Sequence, residues 1–341
     1  MVYDAAFPMR VDRRTLLTRG HSVPRARFAP ADQWLRLHRA AMACRFEVLL
    51  SGEDQRHTAA AHDALAEADR LDAAWSLFRD DSAVATINRD AGTAAVAVDG
   101  ELFALLALAQ DLWRRTGGAF DVTTTPLSRC WGFVAREGRV PSVAEIEAAR
   151  AGVGLQHVRL DAAARTVRFA APGVAINLGA IGKGAAVDAI AARLASGGVG
   201  HALVSAAGSS ARAIGGRDGG FTVHLSSPLV DRPLARLRLR HGAIGTSGVG
   251  LQAIVADGRR FGHVIDPRTG WPAAGVLSAT VVAGDAATAD ALSTAMLIGG
   301  APLAARYCAA HPDTLVLLTT DDRRTVRFGA SRAALVEDPC T

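Results

Sequence analysis

The order of predicted strands and helices constrains the fold of this 341-residue chain more than any other feature. Apolar and polar residues alternate from Cys44 to Leu50, which is typical of a half-buried strand. Amphipathic helices are predicted at His57–Leu77 and Glu101–Thr116. Further along the chain, strands come in blocks separated by helices instead of alternating one for one. This order predicts an α+β fold with antiparallel sheets and packed helices, and a division into two lobes stays open.

The same patterns assign the remaining segments. A short helix is predicted at residues 31–41, and Phe78–Asn88 and Gly117–Phe133 are interpreted as connecting loops. Ser142 and Glu145 have the spacing of a capping box at the start of a helix. The other predicted strands are His157–Leu160, Thr166–Phe169, Val174–Leu178, a meander of His201–Ser205, Ala211–Ile214, Phe221–Leu225 and Leu234–Leu239, then Val276–Val282 and a hairpin of Thr314–Leu318 with Thr325–Phe328. The other predicted helices are Ala185–Ala195, Asp285–Ile298 and Pro302–Ala309.

Charge and cysteine usage exclude several classes of function. The net charge of +5 comes from dispersed arginines, and aromatic residues make up only 5% of the chain, so no nucleic-acid partner is predicted. A basic surface of this kind also suits an anionic small ligand. The four cysteines are far apart and form no C-x-x-C, which argues against a zinc ribbon or a redox pair. No apolar run reaches the length of a membrane span.

Residues 1–30 are interpreted as a disordered leader, and residues 31–341 as one catalytic domain. The pair Arg13-Arg14 precedes an apolar stretch, as in a twin-arginine signal, but Arg19 and His21 interrupt the stretch. A cytoplasmic location is therefore expected.

The stretch Asn177–Asp188 contains Lys183, which is the only lysine in the chain. Three glycines surround it where a predicted strand gives way to a predicted helix. A turn of this kind presents backbone N–H groups at a helix N-terminus, which suits a phosphate-bearing ligand. The stretch is not a Walker A loop, because Gly184 follows the lysine where Ser or Thr is required. An ordinary turn with a surface lysine remains the alternative.

Asp290 and Thr294 form a second informative pair. They are four residues apart in a predicted apolar helix, so their oxygens share one helix face. A carboxylate and a hydroxyl are hard oxygen ligands suited to Mg²⁺. In the alternative interpretation, Asp290 pairs with an arginine and Thr294 bonds to the helix backbone. Asp285, at the start of this helix, is interpreted as its N-cap.

Two turn-like segments add candidates for chemistry. His263 precedes Asp266-Pro267-Arg268-Thr269-Gly270, whose residue types favour a turn. A histidine there is a candidate general base, and a packing role is the alternative. Gly245–Gly248 places two hydroxyl residues between glycines and is interpreted as a tight turn.

Taken together and in order, these motifs resemble the ApbE family of FAD:protein FMN transferases. The resemblance implies an ApbE-like (T-fold-like) catalytic domain that uses FAD as substrate and Mg²⁺ as cofactor. It rests on Met42-Ala43-Cys44, Phe78–Ser82 with Asn88, Gly117–Asp121 with Pro126-Leu127 and Trp131–Phe133, Leu178–Gly184 with Val187-Asp188, Thr246–Gly248, His263–Gly270 and Asp290–Thr294.

The implied reaction is transfer of FMN to a Thr or Ser hydroxyl of a partner flavoprotein, with release of AMP. Hydrolysis of FAD to FMN and AMP is one alternative, and a flavin-binding maturation accessory with little turnover is another. Many members of the family are exported or lipid-anchored, which makes a periplasmic or membrane-associated location the alternative to the cytoplasm.

The resemblance also assigns roles to individual residues. Metal ligation falls to Asp290, Thr294 and the backbone carbonyl of Ala180. Lys183, Asp290 and His263 are the catalytic candidates, with Lys183 holding phosphate charge and His263 helping to remove the hydroxyl proton. The FAD contacts implied by motif position are Met42, Phe78, Ala119, Phe120, Asp121, Asn177, Lys183, His263 and Ile265.

This chain departs from the family pattern at several positions. Phe78 stands where the family often has Tyr, and Asn177 stands where it usually has Asp. The segments Ala207–Ser210 and Val249–Leu251 also differ from the family pattern.

Overall fold

The computed structural model describes residues 27–28, 34–216, 219–226, 233–249, 253–256 and 258–337. Apart from residues 27–28, the predicted leader lies outside the described residues. The described α-helices are α1 (Thr58–Trp75), α2 (Ala83–Asp90), α3 (Gly100–Arg115), α4 (Thr125–Cys130), α5 (Val143–Arg150), α6 (Gly182–Ser196) and α7 (Ala286–Ala310). The described residues also form two 3₁₀ helices, Gly52–His57 and Leu155–His157.

Within the described residues the strands pair only in antiparallel fashion, which confirms the predicted α+β class with antiparallel sheets. They are β1 (Arg27–Phe28), β2 (Leu35–Ala41), β3 (Cys44–Leu50), β4 (Val96–Ala97), β5 (Val158–Asp161), β6 (Thr166–Phe169), β7 (Ala202–Ala206), β8 (Ser210–Ile214), β9 (Phe221–Ser226), β10 (Pro233–Leu239), β11 (Ala243–Gly248), β12 (Ala253–Ala256), β13 (Arg259–Gly262), β14 (Val276–Ala283), β15 (Leu315–Thr320), β16 (Thr325–Gly329) and β17 (Ala334–Glu337).

An eight-stranded sheet with the order β16-β15-β14-β11-β8-β7-β3-β2 forms the centre of the fold. Successive side chains of its strands point to opposite faces, and both faces are buried. Phe46, Val48 and Val281 pack on one side with α1, α6 and α7. Leu203 and Ile244 pack on the other side against a four-stranded sheet with the order β1-β9-β10-β17. The central sheet therefore lies between a helical layer and a second sheet.

A separate apolar cluster surrounds Trp131. It contains Leu127, Ile146, Phe261 and Ile265, which come from α4, α5 and the residues in and beyond the β12–β13 hairpin. None of the helices in the described part of the chain combines the length and apolar character needed to cross a bilayer.

The helix predicted at residues 31–41 is wrong. Leu35–Ala41 is strand β2, and its residues alternate between half-buried and exposed. The strand pairs with β3 along its whole length, from Leu35 opposite Leu50 to Ala41 opposite Cys44. The spacing of apolar residues in a short segment does not show whether a partner strand is available. Pairing with such a strand overrides the local preference of the segment for a helix.

The strand predicted at Val174–Leu178 is also wrong, although the segment is extended and largely buried. The side chain of Asn88 takes the place of a neighbouring strand. Its Oδ1 accepts from the Ile176 amide at 2.7 Å, and its Nδ2 donates to the Ile176 carbonyl at 2.9 Å. The buried backbone is therefore hydrogen-bonded without a ladder.

Four further segments differ from their predicted form. The predicted meander is two hairpins, because β7–β8 belongs to the central sheet and β9–β10 to the smaller one. Gly245–Gly248 lies within β11 and is not a turn. The two predicted loops each contain a short helix, α2 and α4 respectively.

Several local predictions are confirmed. Ser142 and Glu145 form a reciprocal capping box on α5, and Asp285 caps α7. The β15–β16 hairpin is present. The two helices predicted after Asp285 are the two parts of α7, which is kinked at Gly300, where φ is 59°.

Candidate functional site

Two glycines hold helix α7 close to its neighbours. A Cβ atom on Gly184 of α6 would lie 2.1 Å from the Ala286 carbonyl oxygen, and one on Gly245 of β11 would lie 2.3 Å from the Ala289 carbonyl oxygen. Only glycine permits both approaches. The first turns of α7 are thereby fixed between α6 and β11, and these turns carry Asp290.

Asp188 of α6 fixes the N-terminus of α7. Its two carboxylate oxygens accept from the main-chain amides of Ala286 and Ala287, both at 2.9 Å, and it also pairs with Arg212 at 2.5 Å. Burial raises the pKa of Asp188, while the two amides and Arg212 act in the opposite direction. Two amides in the first turn of α7, which have no acceptor within their own helix, therefore donate to a side chain of α6.

Asp290 lies at the junction of α6 and α7 and is only 3% exposed. Its Oδ2 atom accepts from the Gly184 amide at 3.1 Å and from Lys183 Nζ at 3.3 Å. Lys183 Nζ also donates to the Gly179 carbonyl at 3.1 Å. In the described part of the chain no hydrogen bond reaches Asp290 Oδ1, so this oxygen is available to a ligand. Asp290 thus pairs with Lys183 and not with an arginine.

Three hydroxyl groups connect β11 to α7. Ser247 Oγ lies 2.8 Å from Ser293 Oγ and 3.1 Å from Thr294 Oγ1. Ser293 Oγ donates to the Asp290 carbonyl at 2.8 Å. Thr294 Oγ1 is 3.5 Å from the same carbonyl, which is a poor hydrogen bond. The position of Thr294 is therefore set mainly by Ser247.

Lys183, Ser247, Asp290 and Thr294 line a cavity of about 300 Å³. It gathers nine of the residues that the resemblance assigns to the site, although they come from distant parts of the chain. They are Ala119, Asp121, Asn177, Ala180, Lys183, His263, Ile265, Asp290 and Thr294.

Three assigned residues do not line this cavity. Phe78 is 77% exposed on the loop before α2, and the Phe120 side chain is fully buried in the main core. Met42 lies in the β2–β3 turn with a φ of 50°, and its amide donates to Asp72 Oδ2 at 2.9 Å. A ligand reaching Phe78 or Met42 would extend beyond the cavity.

Asn177 begins the glycine-rich turn that leads to Lys183. Its Oδ1 accepts from the Gly179 amide at 2.9 Å, which closes an Asx turn. An aspartate would offer the same acceptor atom. The substitution of Asn for the family's Asp therefore removes a charge without changing this turn.

Asp121 is buried, and its carboxylate is used by the protein itself. Oδ1 accepts from the Thr123 amide at 2.7 Å, and Oδ2 accepts from the Leu155 amide at 3.2 Å. Burial raises its pKa, and these hydrogen bonds oppose the rise. Asp121 thus ties together two loops beside the cavity.

His263 and Ile265 bring another wall to the cavity, and a braced turn follows them. The Gly270 amide donates to the Asp266 carbonyl at 2.8 Å, and Arg268 Nε donates to Asp266 Oδ1 at 2.8 Å. Trp131 Nε1 donates to the Gly270 carbonyl at 2.9 Å. The His263 ring lies edge-on to Phe133, with centroids 6.5 Å apart.

The sequence patterns do not identify Ser247 and Ser209 as site residues, although both line the cavity. Ser247 belongs to a segment interpreted as a turn, and its importance depends on contacts with residues 46 and 47 positions later. The glycine at position 245 is the available signal, because glycine in a strand often marks a close approach of another backbone.

The oxygen donors around Asp290 fit a hard divalent cation. Among the described residues, no group of three or more His, Cys, Asp or Glu side chains could hold a metal. The assigned set instead has one carboxylate, one hydroxyl and one backbone carbonyl. Mg²⁺ is commonly held by one or two carboxylates, with water and substrate phosphates completing its octahedron. The donor set therefore suits Mg²⁺ bound together with a phosphate ligand.

Comparison with known proteins places this geometry in context. The model of the ApbE family matches residues 42–318. A Vibrio cholerae protein named FAD:protein FMN transferase is 32% identical over 254 residues, covering 72% of this chain and 75% of the relative. A Treponema pallidum protein of the same name is 30% identical over 291 residues, covering 79% and 80%. The crystal structure of an ApbE protein from Thermotoga maritima superposes with a TM-score of 0.79 at 32% identity, covering 87% of this chain and 97% of the other.

Proposed function

The chain belongs to the ApbE family, and from this premise we propose that it transfers FMN from FAD to a Thr or Ser hydroxyl of a partner flavoprotein, with release of AMP. One observation carries the proposal. Lys183, Asp290 and Thr294 meet at a single cavity although more than a hundred positions separate the lysine from the other two. A cation, a carboxylate and a hydroxyl in one cavity provide what a pyrophosphate and its metal require.

Lys183 and the start of α6 would bind the pyrophosphate. Helix α6 begins at Gly182, next to the cavity-lining residues Ala180 and Lys183, so the partial positive charge of its N-terminus lies beside the cavity. The ammonium group of Lys183 adds a full charge there. As the reaction proceeds, both would stabilise negative charge on the phosphate oxygens.

Asp290, Thr294 and the Ala180 carbonyl would hold Mg²⁺. When bound, Mg²⁺ neutralises pyrophosphate charge and polarises the attacked phosphorus. Asp290 Oδ2 remains tied to Gly184 and Lys183, so its orientation is fixed before any ligand arrives.

The proposed reaction replaces the phosphoanhydride bond of FAD with a phosphoester bond to the acceptor. The acceptor hydroxyl oxygen attacks the FMN-side phosphorus and forms a new P–O bond. The bond from that phosphorus to the bridging oxygen breaks, and AMP leaves with the bridging oxygen. His263 is the candidate to accept the hydroxyl proton, because it lines the same cavity as Lys183.

The proposal is tested by incubating the protein with FAD, Mg²⁺ and a flavoprotein fragment that carries an acceptor threonine. Covalent in-gel flavin fluorescence of the fragment is the expected result. Loss of FAD without labelling would assign FAD hydrolysis instead. Tight binding of FAD with neither outcome would leave only the role of a maturation accessory.

Asp290→Asn tests the metal assignment within this reaction. The variant keeps the size of the side chain and loses its charge, so Mg²⁺-dependent labelling should fall at least about 100-fold while the circular dichroism spectrum is unchanged. Asp63→Asn is the matched control, because Asp63 is an exposed carboxylate on α1. Full activity of Asp290→Asn would refute the assigned metal site.

A further inference from the structure

A second cavity adjoins the first one. It has a volume of about 440 Å³ and shares Asp121 and Pro267 with the cavity that contains Lys183. Three arginines line it, namely Arg114, Arg150 and Arg268. We call it the arginine cleft.

Two glycine turns pack against two of these arginines. Gly118 has a φ of 78°, and a Cβ atom there would lie 3.4 Å from Trp113 Nε1 and 3.9 Å from Arg268 Cγ. A Cβ atom on Gly270 would lie 2.9 Å from Arg150 Cδ. The indole of Trp113 and the arginine stems therefore form the walls of an open cleft.

The positive charge of the cleft is not balanced within the protein. Arg268 pairs with Asp266 at 2.8 Å, but in the described part of the chain neither Arg114 nor Arg150 forms an ion pair or a side-chain hydrogen bond. Both are exposed. Asp121 is the acid in the lining, and its oxygens already accept hydrogen bonds from Thr123 and Leu155. The cleft therefore offers two guanidinium groups to an external anion.

FAD does not supply that anion. Its only charged groups are the two phosphates, and the proposed function assigns these to Lys183, the start of α6 and the metal. The adenine, ribose, ribityl and isoalloxazine parts are neutral near pH 7. A neutral ring could lie in the cleft, but it would leave Arg114 and Arg150 without a partner.

The acceptor protein is the remaining reactant, and this cleft adjoins the cavity that its hydroxyl has to enter. Its hydroxyl has to reach a phosphorus in the adjoining cavity, so the residues beside that hydroxyl lie across the cavity mouth. Arginine recognises carboxylates through paired N–H donors, and Trp and Arg are enriched at the energetic centres of interfaces.

We infer that the arginine cleft docks carboxylate side chains flanking the acceptor Thr or Ser of the partner flavoprotein. The inference rests on the proposed transfer function and names the chemistry by which that partner is recognised. Arg114 and Arg150 are the contact residues, and Trp113 is the wall against which the acceptor segment packs.

The experiment compares Arg114→Gln, Arg150→Gln and the double variant with the wild type at increasing salt. A flavoprotein fragment that the wild type labels is used in two versions, one with its Asp and Glu residues near the acceptor Thr intact and one with these changed to Asn and Gln. KM for the intact fragment should rise about tenfold in the double variant, with kcat and the Kd for FAD unchanged. The rise of KM with ionic strength should become shallower.

Two controls make the result specific. Arg159→Gln removes an exposed arginine on β5, away from both cavities, and should change nothing. The amide version of the fragment should show the raised KM already with the wild type and no further rise with the double variant.

The possible failures are distinguishable. Absence of labelling by the wild type would overturn the proposed function, and this inference with it. Labelling with equal KM for the wild type and the double variant would overturn the docking inference alone. A weaker Kd for FAD in the double variant would show that the cleft holds the nucleotide, which also overturns it.

Discussion

At the scale of single residues, the direction of the hydrogen bonds among three hydroxyl groups decides whether the Thr294 oxygen is free to bind a cation. Ser293 donates its only hydroxyl proton to the Asp290 carbonyl at 2.8 Å, so it accepts from Ser247 at 2.8 Å. Ser247 has then used its own proton and accepts from Thr294 at 3.1 Å. A hydroxyl has one donor and two acceptor positions. Thr294 is therefore left with its lone pairs free for a cation.

Removing Ser247 should weaken metal binding without touching a ligand. In Ser247→Ala the Thr294 hydroxyl loses its acceptor and its fixed orientation, and we expect the Kd for Mn²⁺ to rise about tenfold. Titration followed by electron paramagnetic resonance measures this without FAD or turnover. Thr280→Val is the control, because it removes a buried hydroxyl bonded to Thr246 at 3.0 Å. Equal Mn²⁺ affinity in Ser247→Ala and the wild type would contradict the hydroxyl order.

Residue types near one another in the sequence predict only part of this site. The glycines around Lys183 and the four-residue spacing of Asp290 and Thr294 are local, and both are visible in the sequence. The contact between Lys183 and Asp290 joins residues 107 positions apart. The resemblance to a family assigns both residues to one site, but neither it nor any local pattern predicts that they form an ion pair. Ser247 was not identified, since a serine in a strand is ordinary until its partners are known.

At the scale of elements, the placement of α7 depends on another helix. Asp188→Ala would leave two buried amides without acceptors and Arg212 without its partner, so we expect a loss of about 2–4 kcal/mol in the free energy of unfolding. Urea denaturation measures the loss. Asp285→Ala removes the N-cap within α7 itself and should cost about 1 kcal/mol. A smaller effect for Asp188→Ala than for Asp285→Ala would contradict this account.

The capping box of α5 predicts a pH dependence. The Ser142 amide, then Arg139 and the Ser142 hydroxyl, lower the pKa of Glu145 from 4.5 to about 2. Because the folded pKa lies below the unfolded value, the stabilisation is fully present above 4.5 and is lost as the pH falls toward 2. The Tm difference between the wild type and Glu145→Gln should be constant near neutral pH and shrink below pH 4.5. Thermal unfolding measured by circular dichroism checks this, and a difference independent of pH would refute it.

Elements with a strong helical period were predictable, whereas the assignment of strands to sheets was not. Helices α1, α3 and α7 are long and bury either one face or all faces, so their apolar residues form a pattern that is visible in the sequence. Strand β2 is short and gains its order from β3. The chain also leaves the central sheet after β8 and returns at β11, and no residue between them marks the change. Such choices depend on partners that are distant in the sequence.

At the scale of the whole molecule, the walls of the cavity belong to different packing clusters. Asp290 and Thr294 stand on α7, whose apolar residues are part of the main core. Ile265 belongs to the cluster around Trp131, and His263 precedes it by two residues. We therefore expect the proposed pyrophosphate and metal ligands to keep their positions when the other wall is loosened.

Trp131→Ala separates the two walls. The side chain is fully buried, packs against Trp271 and Phe261 at centroid distances of 5.4 and 5.5 Å, and bonds to the Gly270 carbonyl. Its removal should cost about 3–5 kcal/mol, concentrated in its own cluster. We expect faster hydrogen exchange at residues 259–265 and a rise of at least about tenfold in the Kd for FAD, since 1.4 kcal/mol is a factor of ten.

Mn²⁺ affinity distinguishes this local loosening from general unfolding. It should be unchanged in Trp131→Ala, because Asp290, Thr294 and Ala180 are held by α6 and α7. Trp34→Ala is the matched control, since Trp34 packs between the two sheets against Phe221 at 5.4 Å and does not line the cavity. It should leave the affinities for both FAD and Mn²⁺ unchanged. A parallel loss of FAD and Mn²⁺ binding in Trp131→Ala would mean that the walls unfold together, as one cooperative unit.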